Sequence, residues 1–304
     1  MELKVQNVFK NFGEKEVLRD ISLSAQSGTA LGLLGRNGAG KTTTIRIIMG
    51  VFFADKGEIL IDGKPINRDK IRIGYMPEER GLYPKIKICD QMAYLAQLRG
   101  MTSKEAQKAC DKWLERMSMT EYKYKKLETL SKGNQQKIQL AVTLMCNPQI
   151  VILDEPFSGL DPVNAMLLKD VIKEMIDGGA IVLFSSHQMN YIEEFCESIA
   201  IINQGKIAID GKISEIKHSY PRDRIAVTSS QYEKIAPFVL QRMSEHIIDV
   251  KNDGENTLVI KMKSPDFKNR LFAELSGQDF DIDCFKVCEP SLNDIFVEYT
   301  EGGI

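Results

Sequence analysis

The sequence predicts an α/β fold carrying a second, smaller α+β unit at its C-terminal end. Two observations lead to this expectation. Short β-rich runs alternate with longer helical patterns from the start to about Asp210, as in a sheet covered by helices. After the stretch from Lys217 to Arg222, which contains Pro221, the order of the patterns changes.

The elements follow in chain order. Val5 to Phe9 and Val17 to Ser24 read as strands around the turn Asn11-Phe12-Gly13, and Ala30 to Leu34 is a continuous apolar run stopped by glycine, as expected of a buried strand. A helix is expected from Gly40 to Met49, where Ile45, Ile48 and Met49 recur at helical spacing. The stretch from Ile88 to Met117 is helical in pattern, with Met92, Leu95 and Leu98 on one side and a break at Arg99-Gly100. With the next helix, Gln135 to Cys146, it predicts a helical subdomain over about residues 88–146. The strand Ile150 to Leu153, a helix from about Val163 to Ile176, the strand Ile181 to Phe184 and a helix from Gln188 to Glu197 come next. Ile199 to Ile202 and Lys206 to Ile209 make a hairpin. Beyond Pro221 the runs Arg224 to Thr228, Tyr232 to Met243, Ile247 to Lys251, Thr257 to Met262, Phe267 to Leu275 and Phe280 to Val287 have the order β-α-β-β-α-β. That order predicts a ferredoxin-like sandwich, closed by a helix from Leu292 to Tyr299 with Leu292, Ile295, Phe296 and Tyr299 at apolar spacing. The expected domains are residues 1–217 and 221–304.

Composition sets outer bounds. With 304 residues, 43% of them hydrophobic, the chain can bury one sizeable core and a smaller one. The 40 basic and 42 acidic residues leave a formal charge of -2, which does not point to nucleic acid as a partner. The 6 cysteines, at 89, 110, 146, 196, 284 and 288, form no CxxC pair and read as reduced packing groups of a cytosolic protein. MELKVQNVFKNFG has no basic flank leading into an apolar run, so no secretory signal is expected, and no stretch approaches the roughly 18 apolar residues of a spanning helix. A membrane role is expected to be borrowed from a partner.

The chemistry is concentrated in short segments. GRNGAGKT, Gly35 to Thr42, fits the P-loop pattern G-x-x-x-x-G-K-[ST] between a predicted strand and a predicted helix. Glycines let the backbone curl its N–H groups toward phosphates, Lys41 adds a positive charge, and Thr42 offers a hydroxyl to Mg²⁺. The expected nucleotide-binding set here is Gly35, Asn37, Gly38, Ala39, Gly40, Lys41, Thr42 and Thr43, with ATP as ligand. IVILDEP places Asp154 and Glu155 at the end of an apolar strand, where two carboxylates are costly unless used. Asp154 is suited to Mg²⁺ and Glu155 to polarising a water that attacks the γ-phosphate. A strand-end acid pair that caps a helix is the bland alternative.

These residues resemble the ATP-binding cassettes of ABC transporters over nearly all of residues 1 to 217. Leu130-Ser131-Lys132-Gly133-Asn134 resembles the family's signature loop, with Lys132 and Asn134 departing from the usual glycine and glutamine. The resemblance implies that Ser131 and Gly133 reach ATP held by a second, facing cassette. Ser158-Gly159-Leu160-Asp161 resembles the loop that bridges two cassettes, His187 the switch histidine at a strand end, and Phe12 the aromatic that stacks on adenine. Glu78 stands where the family normally has a metal-binding glutamine, and a carboxylate remains a good Mg²⁺ ligand. PEERGLYP, Pro77 to Pro84, with the C-terminal PSLNDIF, is similar to a bacterial branch associated with sodium or drug efflux. The implied catalytic residues are Glu155, His187 and Lys41, and the implied metal ligands Thr42, Glu78 and Asp154. The resemblance implies an ATPase that powers a separate membrane permease in the direction of export, held peripherally on the inner face of the membrane and paired with an identical or paralogous cassette. The competing reading is a soluble ABC ATPase acting on ribosomes or DNA, which normally needs tandem cassettes or a long basic or coiled-coil insertion.

Overall fold

The computed structural model describes residues 1–79, 81–254 and 256–301. Arg80 of the PEERGLYP stretch, Glu255, and the last three residues of the expected C-terminal domain lie outside the described residues. The chain divides into two compact units, one of Met1–Ile213 together with the chain from Phe296 on, the other of Ser214–Ile295.

The larger unit begins with long paired strands β1 (Glu2–Phe12) and β2 (Lys15–Gln26), followed by β3 (Ala30–Leu34), α1 (Lys41–Met49), β4 (Lys56–Ile61), β5 (Lys64–Pro65) and β6 (Ile73–Met76). Helices α2 (Ile88–Leu98), α3 (Ser103–Arg116) and α4 (Lys132–Leu144) lead into β7 (Ile150–Asp154), α5 (Pro162–Asp177), β8 (Ile181–Ser185), α6 (Met189–Phe195), β9 (Ser198–Asn203) and β10 (Lys206–Lys212), and α7 (Ile213–Ser219) starts at the boundary and runs into the smaller unit. Strands β2-β1-β4-β5 form an antiparallel sheet, and β10-β9-β3-β8-β7-β6 form the second sheet. The second sheet is parallel throughout except for the β9–β10 hairpin.

Sequence pattern and burial agree in these elements. β3 and β8 are buried at every residue, as expected of strands covered on both faces, whereas β2 alternates buried Leu18, Ile21, Leu23 and Ala25 with exposed polar residues. One core joins Leu3, Val5, Leu18 and Ile21 of the antiparallel sheet to Leu31, Ile45, Ile48, Ile152 and Leu183. Arg99 and Gly100 end α2 as expected, and the next helix opens with a capping box in which Thr102 and Glu105 satisfy each other's backbone N–H groups.

Registers in the parallel sheet decide where functional loops emerge. Met76 lies opposite Leu153, Leu153 opposite Phe184, and Asp154 opposite Ser185. The loops after β6, β7 and β8 therefore leave from one edge of the sheet, the edge of carboxyl strand ends that also carries the loop after β3. Beneath this edge Phe157 stacks on Tyr191 at 4.1 Å and on Phe195 at 5.7 Å, and Phe184 packs 5.9 Å from Phe157.

Several elements differ from the sequence reading. Ile73–Met76, assigned to no element from the sequence, is a strand, because its backbone pairs with β7. β4 and β5 went unread because Lys56, Glu58, Lys64 and Pro65 interrupt any apolar pattern. α4 starts at Lys132 rather than Gln135, since the Ser131 hydroxyl accepts from the Asn134 N–H at 3.3 Å and caps an earlier turn.

The smaller unit contains β11 (Arg224–Thr228), α8 (Tyr232–Met243), β12 (Ile247–Asn252), β13 (Thr257–Met262), α9 (Lys268–Ser276) and β14 (Cys284–Cys288), and α10 (Leu292–Glu301) closes the chain. The sheet order β12-β13-β11-β14, antiparallel throughout, is the ferredoxin-like arrangement. Ile225, Val227, Leu258 and Ile260 of the sheet pack with Ile235 and Val239 of α8 and Leu271 of α9. The last strand is shorter than Phe280 to Val287, because only Cys284 to Cys288 pair with β11.

Phe184 is 0% exposed, so Phe184→Ala should cost about 3–5 kcal/mol of stability in urea unfolding followed by circular dichroism. A loss below about 1 kcal/mol would mean that the aromatic layer collapses around the cavity and is not a rigid support for the edge above it.

Candidate functional site

The loop between β3 and α1 is shaped by glycine. Gly35 and Gly40 have φ of 153° and 122°, and a Cβ added there would lie 2.5 Å from the Ile202 carbonyl oxygen and 2.6 Å from Leu18 Cδ2, respectively. Gly40 is the N-cap of α1 but supplies no side-chain acceptor, and the first turn contains no acidic residue. The N–H groups of that first turn have no intrahelical acceptors and sit at the positive end of the helix dipole. Lys41 Nζ donates to the carbonyl oxygens of Gly35 at 2.5 Å and Arg36 at 3.3 Å. Burial lowers the Lys41 pKa, and the charges of Asp154, Glu155 and Glu78 act in the opposite direction.

A cleft of about 600 Å³ opens on this loop, lined by Arg36, Asn37, Gly38, Gly40, Lys41, Thr42, Thr43 and Glu78 among others. Sequence reasoning missed Lys15, Glu16, Val17, Arg19, Gln204 and Gly205, which complete its wall. No local pattern marks them: the β9–β10 turn reaches the loop through Gly205, whose N–H donates to the Ala39 carbonyl at 3.0 Å. A cradle of uncapped amides, a half-buried ammonium and two threonine hydroxyls fits a polyphosphate.

The donor set also fits Mg²⁺ shared with such a ligand. Thr42 and Glu78 line the cleft together, and Asp154 and Glu78 both act electrostatically on Lys41. Among the described residues no group of three or more His, Cys, Asp or Glu could hold a metal by itself.

The acid pair after β7 is separated in environment. Asp154 is half-buried and accepts a hydrogen bond from the Ser185 hydroxyl across the Asp154–Ser185 register pair. Glu155 is 8% exposed and has φ of 49°, a left-handed conformation uncommon outside glycine. Its N–H donates to the Ser185 carbonyl at 3.0 Å, Ser186 Oγ donates to Glu155 Oε2 at 3.2 Å, and His187 Nε2 lies 3.7 Å from Glu155 Oε1. Burial raises the Glu155 carboxyl pKa above the ordinary carboxylate range, against the opposing pull of His187 and the Ser186 hydrogen bond. Ser185 and Ser186 were not singled out in the sequence, although they directly precede His187.

Ser131, Gly133 and Asp161 form a second cluster, apart from Phe12. Ser131 caps α4, and a Cβ on Gly133 would meet Asn164 Nδ2 at 3.2 Å and Leu160 Cδ2 at 3.4 Å, so the first turn of α4 lies against the start of α5. Asp161 caps α5 by accepting from the N–H groups of Val163 at 3.1 Å and Asn164 at 3.0 Å, and these bonds lower its pKa, the Asn164 backbone first. Phe12 is 43% exposed, sets its ring edge-on to Phe52 at 5.2 Å, and stands outside the cleft lining.

Comparison with known proteins covers both units. The family described as ABC transporter matches residues 18–158, and that described as ATP-binding protein DrrA1-3-like, C-terminal domain, matches residues 211–300. The chain is 42% identical over 297 residues, 97% of each protein, to the ABC transporter ATP-binding protein YhaQ of Bacillus subtilis (strain 168). It is 31% identical over 305 residues, 98% of each, to the linearmycin resistance ATP-binding protein LnrL of the same organism. A solved ATP-binding subunit of an ABC transporter superposes with a TM-score of 0.66 at 27% identity, over 72% of this chain and 92% of that one.

The raised Glu155 pKa has a consequence for stability. A carboxyl whose folded pKa exceeds its unfolded value penalises the folded state once the pH passes the unfolded pKa, and the penalty disappears below it. Glu155→Gln should therefore be more heat-stable than wild type at pH 8, with the gap closing as the pH falls to about 4. Melting curves across this range check it, and a gap independent of pH would show that ionisation of Glu155 is not the cause.

Proposed function

The chain belongs to the ATP-binding subunits of ABC transporters, ATPases that power a membrane transporter, and we propose that it does so as one of two facing cassettes, with residues 1–217 holding the nucleotide and the C-terminal unit taking no part in the chemistry. One arrangement supports the reading: a buried carboxyl, Glu155, beside a histidine and on the same sheet edge as an uncapped, lysine-bearing glycine loop.

In this reading Gly35 to Thr43 bind the ATP phosphates through backbone amides, and Lys41 neutralises phosphate charge. Bound Mg²⁺ supplies Lewis-acid neutralisation of the phosphate oxygens, and Thr42, Asp154 and Glu78 are the residues that would hold it. Glu155 takes a proton from the attacking water. Its raised pKa makes this carboxylate a stronger base than an ordinary glutamate. His187, exposed on one side and facing Glu155 on the other, orients that base and contacts the γ-phosphate. Ser131 and Gly133 serve the nucleotide of the facing cassette, and Asp161, by capping α5, fixes the bridging loop beside them. Phe12 supplies an exposed ring for adenine.

No helix among the described residues is long and apolar enough to cross a membrane, so the permease is read as a partner chain. The cassette then works on the inner face of the membrane. Export is the proposed direction, supported by likeness to a linearmycin resistance ATP-binding protein. The second cassette is either an identical copy or a paralogue.

Glu155→Gln should bind ATP yet hydrolyse it about a hundredfold more slowly, since the amide keeps the shape and removes the basicity. Dimers should then accumulate with ATP in size-exclusion chromatography, and turnover near the wild-type rate would overturn Glu155 as the base. Ser131→Arg should leave ATP affinity of the monomer intact while abolishing hydrolysis. A matching loss of monomer affinity would assign Ser131 to its own nucleotide instead. Affinity purification from membranes should bring down a multi-span partner.

A further inference from the structure

Helix α4 carries three polar side chains, Gln136, Gln139 and Thr143, at the i, i+3, i+7 spacing of one face. Each is spent on backbone. Gln136 Nε2 donates to the carbonyl oxygens of Pro156 at 2.9 Å and Glu155 at 3.4 Å. Gln139 Nε2 donates to those of Pro77 at 2.9 Å and Glu79 at 3.3 Å. Thr143 Oγ1 lies 2.9 Å from the Gln139 carbonyl and 3.4 Å from that of Tyr75.

Gln139 is the informative member. It is 6% exposed, between the fully buried Ile138 and Leu140, where an apolar side chain would avoid the cost of burying an amide. Its one nitrogen uses both hydrogens on the carbonyls that flank a single residue, Glu78. Glu78 itself makes no part of that clamp. Its exposed side chain lines the cleft with Lys41 and Thr42.

We propose that Gln139 is a positioning residue for the nucleotide site, clamping the carbonyls of Pro77 and Glu79, the neighbours of Glu78, so that this carboxylate is held over the P-loop cleft and moves with the helix that begins beside Ser131. The inference rests on the reading of Glu78 as a metal ligand. With Gln136 on the carbonyls of Glu155 and Pro156, the same helix grips the backbone beneath both carboxylates on which hydrolysis is proposed to depend. Glu155 needs such support, because its left-handed φ is otherwise disfavoured.

The test is a binding cycle on the full chain. Affinity for the non-hydrolysable analogue adenylyl imidodiphosphate is measured by titration calorimetry with MgCl₂ and again with EDTA, and the ratio is the gain due to metal. Gln139→Leu should lower this gain about tenfold, the size of effect seen when a group supporting a metal ligand is removed, while affinity in EDTA stays the same. In a Glu78→Ala background the further loss should vanish, since the side chain being positioned is gone. A merely structural role would instead lower both affinities, or act equally in both backgrounds, and either outcome overturns the inference. If Gln139→Leu unfolds, Gln139→Glu keeps the length, removes the donor and should give the same loss of metal gain. A Glu78→Ala variant with an unaltered metal gain would defeat the metal reading of Glu78, and the positioning of Glu78 with it. A Gln139→Leu loss that persists in that background defeats the positioning inference alone.

Discussion

Everything at the nucleotide edge depends on the register of the parallel sheet. Hydrogen bonding of β6 to β7, β7 to β8 and β8 to β3 fixes Met76, Leu153 and Phe184 in line, and the loops bearing Glu78, Glu155, His187 and Lys41 follow from that alignment. A slip of one residue would turn the apolar side chains of fully buried strands away from their partners, so the core itself enforces the register. The aromatic layer of Phe157, Phe184, Tyr191 and Phe195 packs under the same edge and resists its displacement.

Burial then acts on the charges that the register collects. Desolvation pushes Lys41 downward and Glu155 upward, each toward its neutral form, while three carboxylates pull the Lys41 ammonium back. The same edge therefore holds one carboxylate, Asp154, half-buried against a serine hydroxyl, and another, Glu155, withdrawn from water beside a histidine. Two adjacent acids thus stand in different surroundings, the kind of difference that lets neighbouring carboxyls divide their roles.

The smaller unit has a core of its own. Its apolar residues come from both faces of contact between a four-stranded sheet and two helices, and they are separate from the cluster that links the sheets of the larger unit. The boundary falls at Ile213 and Ser214, somewhat before the change of pattern around Pro221, and the chain from Phe296 on groups with the larger unit. Asn203 Nδ2 donates to the Tyr299 carbonyl at 2.9 Å, so the closing helix is not simply a part of the small sandwich.

The sequence by itself determined the α/β class, the ferredoxin-like order of the last elements, and the glycine loop with its lysine and threonine. These are local properties: a phosphate cradle uses consecutive backbone amides, and strand or helix periodicity is written in neighbouring residues. The acid pair was legible for the same reason, as charge stands out at the end of IVILDEP. Tertiary structure alone decided that Ser185 bonds to Asp154 across 31 residues, that Gln204 and Gly205 wall the cleft, and that Gln139 clamps the carbonyls around Glu78. It also decided that Ile73–Met76 is a strand, since four residues flanked by loop carry too little pattern to be recognised without the partner strand β7. What remained hidden was in each case a bond between segments distant in the chain, made possible only once the core had fixed the strands that bring them together.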